Sequence, residues 1–222
     1  MGQNGSMPRP NTQALQRERL IHAARLVAVR DGAAGTTLRA IAAEAKMEPN
    51  AALYYFDSLS ALIREVVGVV TDEFIAQLGA AVDEQAPSAP AMLSAAIQAG
   101  ITGGLDNDLS TILYEFWSTS LRDPEMSVIE RSLTDKQISV YQGILDAGVG
   151  AGDFVIKLPT GDVARLLLGL EDGLVMGILT GSIDRARILA AVRGAAESLV
   201  SCSLPVLERQ SIGARAELEA DA

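Results

Sequence analysis

The chain has 222 residues, 49% of them hydrophobic and 21% charged, with a net charge of −10 at neutral pH. That much apolar material supports a packed core over most of the length and excludes a largely disordered chain. The one cysteine, Cys202, excludes an intrachain disulfide and predicts a reducing, cytoplasmic setting, and the one histidine, His22, excludes a histidine–cysteine zinc site.

Residues 1–11 read as a flexible arm without the apolar stretch of a secretory signal. Met1-Gly2-Gln3-Asn4-Gly5-Ser6 matches the bare myristoylation pattern. With Met7 following at once, it reads rather as a cloning remnant or an unordered arm. Beyond it, apolar residues recur at helical spacing and no stretch alternates as a strand would. A first helix is predicted over Thr12–Asp31, with Leu20, Ile21, Ala24, Val27 and Ala28 on one face, broken by Gly32 through Gly35. Thr37 is an N-cap for a second helix holding Leu38, Ile41, Ala42 and Ala45. After the turn Lys46-Met47-Glu48, Pro49 suits the first position of a short third helix ending near Tyr55. Leu20, Ile21, Ile41, Met47, Leu53 and Phe56 are expected in the core, and His22 on an exposed face. Asp57 or Ser58 then caps a long fourth helix reaching about Asp83. Pro87 to Pro90 is a break, and further helices are expected near 89–104, 107–122, 124–149, 161–181 and 184–204. The most apolar window, about Val163–Ile183, carries Arg165, Glu171 and Asp172 near its middle, so no membrane span is expected. The expected fold is all-α: a three-helix unit over 12–57, a larger helical domain over 58–205, and a polar tail from 206 to 222.

Two short helices joined by a tight turn, with a preceding helix to pack on, form a helix-turn-helix unit. Charge fits this. Residues 7–65 hold eight Lys/Arg and six Asp/Glu, a net of +2; the rest holds ten against 22, a net of −12. The basic part approaches a polyanion, while the acidic bulk repels DNA and favours one docking orientation. In the third helix the small Asn50, Ala51 and Ala52 allow close approach to a groove. Asn50 suits base edges or phosphate, and Ala51 a thymine methyl. Tyr54 and Tyr55 are donors for phosphate oxygens. Tyr54 reads equally well as core. Thr36 and Thr37 sit at a helix N-terminus that favours phosphate, with Arg39 one turn in.

From Arg17 to Leu62 the chain resembles the TetR family of transcriptional repressors. The similarity runs through Arg17-Glu18-Arg19-Leu20-Ile21-His22-Ala23-Ala24, Gly32, and Thr36-Thr37-Leu38-Arg39-Ala40-Ile41-Ala42. It continues through Met47-Glu48-Pro49-Asn50, Tyr54-Tyr55-Phe56, Ser58 and Ala61-Leu62. The resemblance implies a homodimer on double-stranded operator DNA with two half-sites, released when a small molecule binds the larger domain. Lys46, Glu48 and Pro49 complete the DNA-facing set, Glu48 as an acceptor from cytosine N4 that also repels phosphate. The chain departs from the family pattern at Lys46 (usually Gly), Glu48 (usually Ser or Thr), Leu53 (usually Tyr) and Leu59 (commonly Lys).

Gly169, Gly173, Gly177 and Gly181 recur every fourth residue, as do Ala186, Ala190, Gly194, Ser198 and Cys202. Such small-residue faces let helix backbones approach closely. We expect Gly169, Gly173, Gly177, Ala190, Gly194, Ser198 and Cys202 at a dimer interface; packing within one subunit is the alternative. A ligand pocket is expected among Met92, Ile97, Ile101, Leu113, Phe116, Trp117, Tyr141, Phe154 and Met176, with polarity from Tyr114, Glu115 and Glu171. No paired nucleophile and base, phosphate-cradling loop or metal-ligand cluster is present, so no enzyme, metal or cofactor is expected. A helical adaptor with weakened DNA binding, and a DNA-binding regulator with no ligand, are the competing readings.

Overall fold

A computed structural model describes residues 12–103 and 108–207. The expected N-terminal arm, the C-terminal end of the tail and Asn107 lie outside these. Among the described residues there are nine α-helices and no strand: α1 Thr12–Gly35, α2 Leu38–Glu44, α3 Pro49–Tyr55, α4 Leu59–Asp83, α5 Ala89–Gln98, α6 Leu109–Trp117, α7 Pro124–Ala151, α8 Thr160–Leu179 and α9 Arg185–Val200. The fold is all-α, as the helical spacing predicts.

Local chemistry sets the boundaries. Gly32 breaks α1 with φ 68° and ψ −178°, a conformation essentially reserved for glycine. The Thr36 hydroxyl donates to the Gly32 carbonyl at 2.7 Å and closes that break. Thr37 caps α2 by accepting from the Ala40 N–H at 3.2 Å, and Ser58 caps α4 through the Ala61 N–H at 3.1 Å. Lys46 takes the left-handed backbone (φ 52°) in the turn between α2 and α3. For a residue with a Cβ this costs roughly 1–2 kcal/mol. Glu48 precedes α3 and makes no side-chain cap bond. Asp123 caps α7 through the N–H groups of Glu125 and Met126. The Met126 N–H, then Arg64, hold its carboxyl below the usual range.

Two helices are shorter than the spacing over 89–104 and 184–204 predicts. A π-turn over Ala99–Gly103 follows α5, and α9 stops at Ser201 in the left-handed region. Leu53 also departs from expectation: it is 44% exposed. In so short a helix the inward face is Ala52 and Phe56, four residues apart, and Leu53 falls to one side.

Two clusters of buried side chains hold the chain together. The first joins α1–α4 to Leu109, Ile112 and Phe116 of α6 and Met126 of α7. The second joins the C-terminal half of α4 to α5, α7, α8 and α9 around Leu93, Tyr141, Leu145 and Leu167. Each fully buried large apolar side chain contributes about 1.5–3 kcal/mol. α4 serves both clusters, through Leu62, Val66 and Val70 in one and Leu78 and Val82 in the other. Arg25 grips Glu73 through two bonds, at 2.7 and 2.8 Å, tying α1 to α4. Arg64 of α4 pairs with Asp123 at 2.9 Å and Glu125 at 2.6 Å at the start of α7. These half-exposed pairs orient the helices more than they stabilise them. No helix among the described residues is long and apolar enough to cross a membrane.

Candidate nucleic-acid interface and ligand cavity

α2 packs on α1, and α3 projects beyond the Lys46–Glu48 turn. Arg39, Lys46, Glu48, Asn50 and Tyr54 are exposed, Tyr54 by 78%. Pro49, Ala51 and Tyr55 are half-buried beside them. The two tyrosine rings meet edge to face, 5.2 Å between centroids. Tyr54 is thus a surface group rather than core. Thr37 is exposed with its oxygen engaged as the cap. Thr36 departs from expectation: it is 5% exposed and its hydroxyl is bonded to Gly32, so it fixes the loop and does not face a polyanion.

Arg17 positions this surface. Its guanidinium lies 4.1 Å from the Phe56 ring centroid, donates to the Tyr55 carbonyl and pairs with Glu65. Helical spacing gives no sign of that role; its place in the family-like stretch is the one signal. Arg30 is paired with Asp31 and Glu44, at 2.9 and 2.7 Å, which raises its pKa and removes it from the available cations. Arg19, Arg39 and Lys46 are exposed and in no ion pair among the described residues.

The second feature is a partly enclosed cavity of about 70 Å³. Val67, Thr71 and Phe74 of α4 form one wall, and Leu113, Tyr114, Phe116 and Trp117 of α6 another. Glu130 and Gln137 of α7, and Glu171, Asp172 and Val175 of α8, complete it. Glu171 is 3% exposed and accepts from the Tyr141 hydroxyl. Burial pushes its pKa well up against that bond, and Asp172 beside it adds to the rise. Asp172 accepts from the Tyr114 hydroxyl at 3.1 Å; burial raises its pKa, as it raises that of both phenols. Gly100 in the π-turn makes room for Glu171, since a Cβ there would lie 2.6 Å from Oε2.

Of the expected pocket residues, Leu113, Tyr114, Phe116, Trp117 and Glu171 line this cavity. Met92, Ile97, Ile101, Tyr141 and Phe154 do not; they pack in the second cluster, with Tyr141 reaching the cavity only through Glu171. Phe154 lies against Gly148, where a Cβ would sit 2.1 Å from its ring. Met176 is 45% exposed on the outer side of α8. Glu115 faces away from the cavity: it accepts from the Ala33 N–H at 2.7 Å, at the Gly32 break. Thr71, Glu130 and Asp172 join the lining with no warning from the sequence. Apolar periodicity marks a buried face, but not which part of it is hollow.

Along the glycine stripe, Gly169 and Gly173 have open space where a Cβ would stand, whereas Gly177 packs on Ile183 of its own chain. Gly177 is therefore needed inside the subunit. Ala190 and Ser198 are exposed, and Gly194 and Cys202 half-buried.

Residues 20–66 match the family model described as bacterial regulatory proteins, tetR family. Over this segment the chain is similar to the tetR family. It is 24% identical over 182 residues to the Bacillus subtilis (strain 168) protein YfiR, described as an uncharacterized HTH-type transcriptional regulator, covering 81% of this chain and 85% of that one. A TetR transcription regulator from Haloarcula marismortui has the same fold, with TM-score 0.73, 21% identity, and coverage of 86% of this chain and 100% of its own. So does a protein from Saccharomonospora viridis solved in complex with choline, with TM-score 0.72, 20% identity, and coverage of 83% and 96%.

Proposed function

We propose that this transcriptional regulator is a homodimeric repressor that reads operator DNA with α3 and leaves it when a small molecule fills the cavity. Asn50 and Ala51 face the bases, and Lys46, Arg39, Tyr54 and Tyr55 the phosphates. Residues 12–57 act as the reading head and 58–205 as the sensing and pairing domain. The observation that carries the proposal is the placement of α6. Tyr114, Phe116 and Trp117 wall the cavity, while Glu115 of the same nine-residue helix holds the Ala33 N–H at the break before α2. A ligand that moves α6 therefore moves the support of the reading head. Release needs only that the ligand bind more tightly where two heads are wrongly spaced for the operator. The choline complex of the Saccharomonospora viridis protein supports a ligand-holding role for this fold.

Pairing is assigned to the outer face of α8 and α9. Leu166, Leu170 and Met176 are 48%, 37% and 45% exposed there, beside the open Gly169 and Gly173. This apolar strip joins two copies through a four-helix contact, leaving both α3 helices on one side.

The test is capture of genomic fragments by the full-length protein, followed by elution with a metabolite library. Enrichment of a sequence with two related half-sites, and its release by particular compounds, is the expected result. No enrichment overturns the DNA reading; enrichment without release by any compound favours a regulator with no ligand.

A further inference from the structure

We propose that the cavity takes an organic cation, an ammonium group on an apolar body, seated with its charge against Glu171 and Asp172. The proposal rests on reading the cavity as the effector site and names the chemical class that fits it.

Three observations converge. Glu130, Glu171 and Asp172 line the cavity, and no Lys, Arg or His does so among the described residues. A carboxyl as deeply buried as Glu171 ordinarily has a cationic partner. Here Glu171 has a phenol hydroxyl, and Asp172 another. Independently, Thr71 lines the same cavity, is only 3% exposed, and its hydroxyl finds no hydrogen-bond partner among the described residues. A buried hydroxyl is almost always bonded, and this one belongs to a residue of the cavity wall. Finally, the walls are Phe74, Tyr114, Phe116 and Trp117, whose ring faces attract cations and accept apolar bodies. An anion would meet three carboxyl groups, and a neutral ligand would leave Glu171 protonated, whereas an ammonium beside it favours the carboxylate and gains a charged partner. An ammonium answers the acidic side, and an N–H or hydroxyl on the same ligand gives Thr71 its partner.

Binding of two matched series to the full-length protein is measured by titration calorimetry. The first is phenethylamine, phenethyl alcohol and phenylacetate; the second is octylamine, octanol and octanoate. We expect the amine to bind at least about tenfold tighter than its alcohol in one series or both, with the carboxylate weakest. Glu171→Gln and Asp172→Asn should each reduce the ratio of amine to alcohol affinity. Circular dichroism checks that both variants fold, and either one suffices if the other does not. Equal binding of amine and alcohol in both series, no amine binding at millimolar concentration, or a preference that survives in both variants overturns the proposal. Release of captured DNA is measured separately. An amine that binds without releasing DNA upholds the ligand class and overturns the effector role. Release by an alcohol or carboxylate but not by the amine upholds the role and overturns the class.

Discussion

Thr71 and Glu171 are the two side chains whose chemistry is least at home in a core. Without ligand, the Thr71 hydroxyl loses its water and gains no bond among the described residues. Thr71→Val keeps the shape and removes the unmet group, so the ligand-free protein should gain about 1–2 kcal/mol. Thermal unfolding checks this; a lower melting temperature would show that the hydroxyl is bonded after all. Glu171 gives a pH signature. Its folded pKa is raised from the ordinary 4.5, chiefly by burial. Tyr141 and Glu130 of α7, Tyr114 of α6 and Asp172 on its own helix are the titratable groups around it. As pH rises above 4.5, the unfolded chain loses this proton first, so stability falls until folded Glu171 also ionises. Glu171→Gln should therefore show a flatter melting temperature as pH rises above about 5, and equal slopes would place Glu171 in water. The sequence offers Glu171 as a polar pocket group, but it gives no sign of Thr71 or of how deeply Glu171 is buried. A Glu-Asp pair inside an apolar helix reads as a charged edge, and only the neighbours of α8 decide that Glu171 points inward.

At the scale of elements the chain is largely readable, because caps and breakers act locally. Thr37, Pro49, Ser58, Asp123 and Gly152 stand at helix ends in the structure as their chemistry requires. Leu53 misleads because a seven-residue helix has too few positions for periodicity to fix its face. The hollow behind α6 is invisible for a different reason. Leu113, Phe116 and Trp117 suit a filled core and a cavity wall equally well. The turn before α3 carries a testable weakness. Glu48 supplies no cap bond and sets a negative charge beside the surface proposed to face phosphate. Glu48→Ser should add about 1 kcal/mol of stability and tighten DNA binding. Denaturant unfolding and fluorescence anisotropy check the two effects, and weaker binding would make Glu48 a base-reading residue instead.

At the scale of the molecule, the proposed mechanism needs both the apolar strip of α8 and the placement of α6 beside the cavity. An exposed run of Leu166, Leu170 and Met176 beside open glycines suits a partner surface better than water. Leu166→Glu should shift the protein toward monomer in sedimentation velocity and lower operator affinity with it. A dimer that survives would move the pairing surface elsewhere. The small-residue spacing points to this face, but Gly177 shows that one stripe serves two purposes, lining the subunit's own interior as well as its outside. The most direct measurement is a fluorescence-anisotropy titration of a captured operator fragment with the parent chain and with Asn50→Ala/Tyr54→Phe, at several salt concentrations. The account expects tight, salt-sensitive binding by the parent and a loss of about tenfold or more in the variant, with dimerisation intact. Equal affinity of the two proteins, or no preference of the parent for the captured fragment over scrambled DNA, would contradict it.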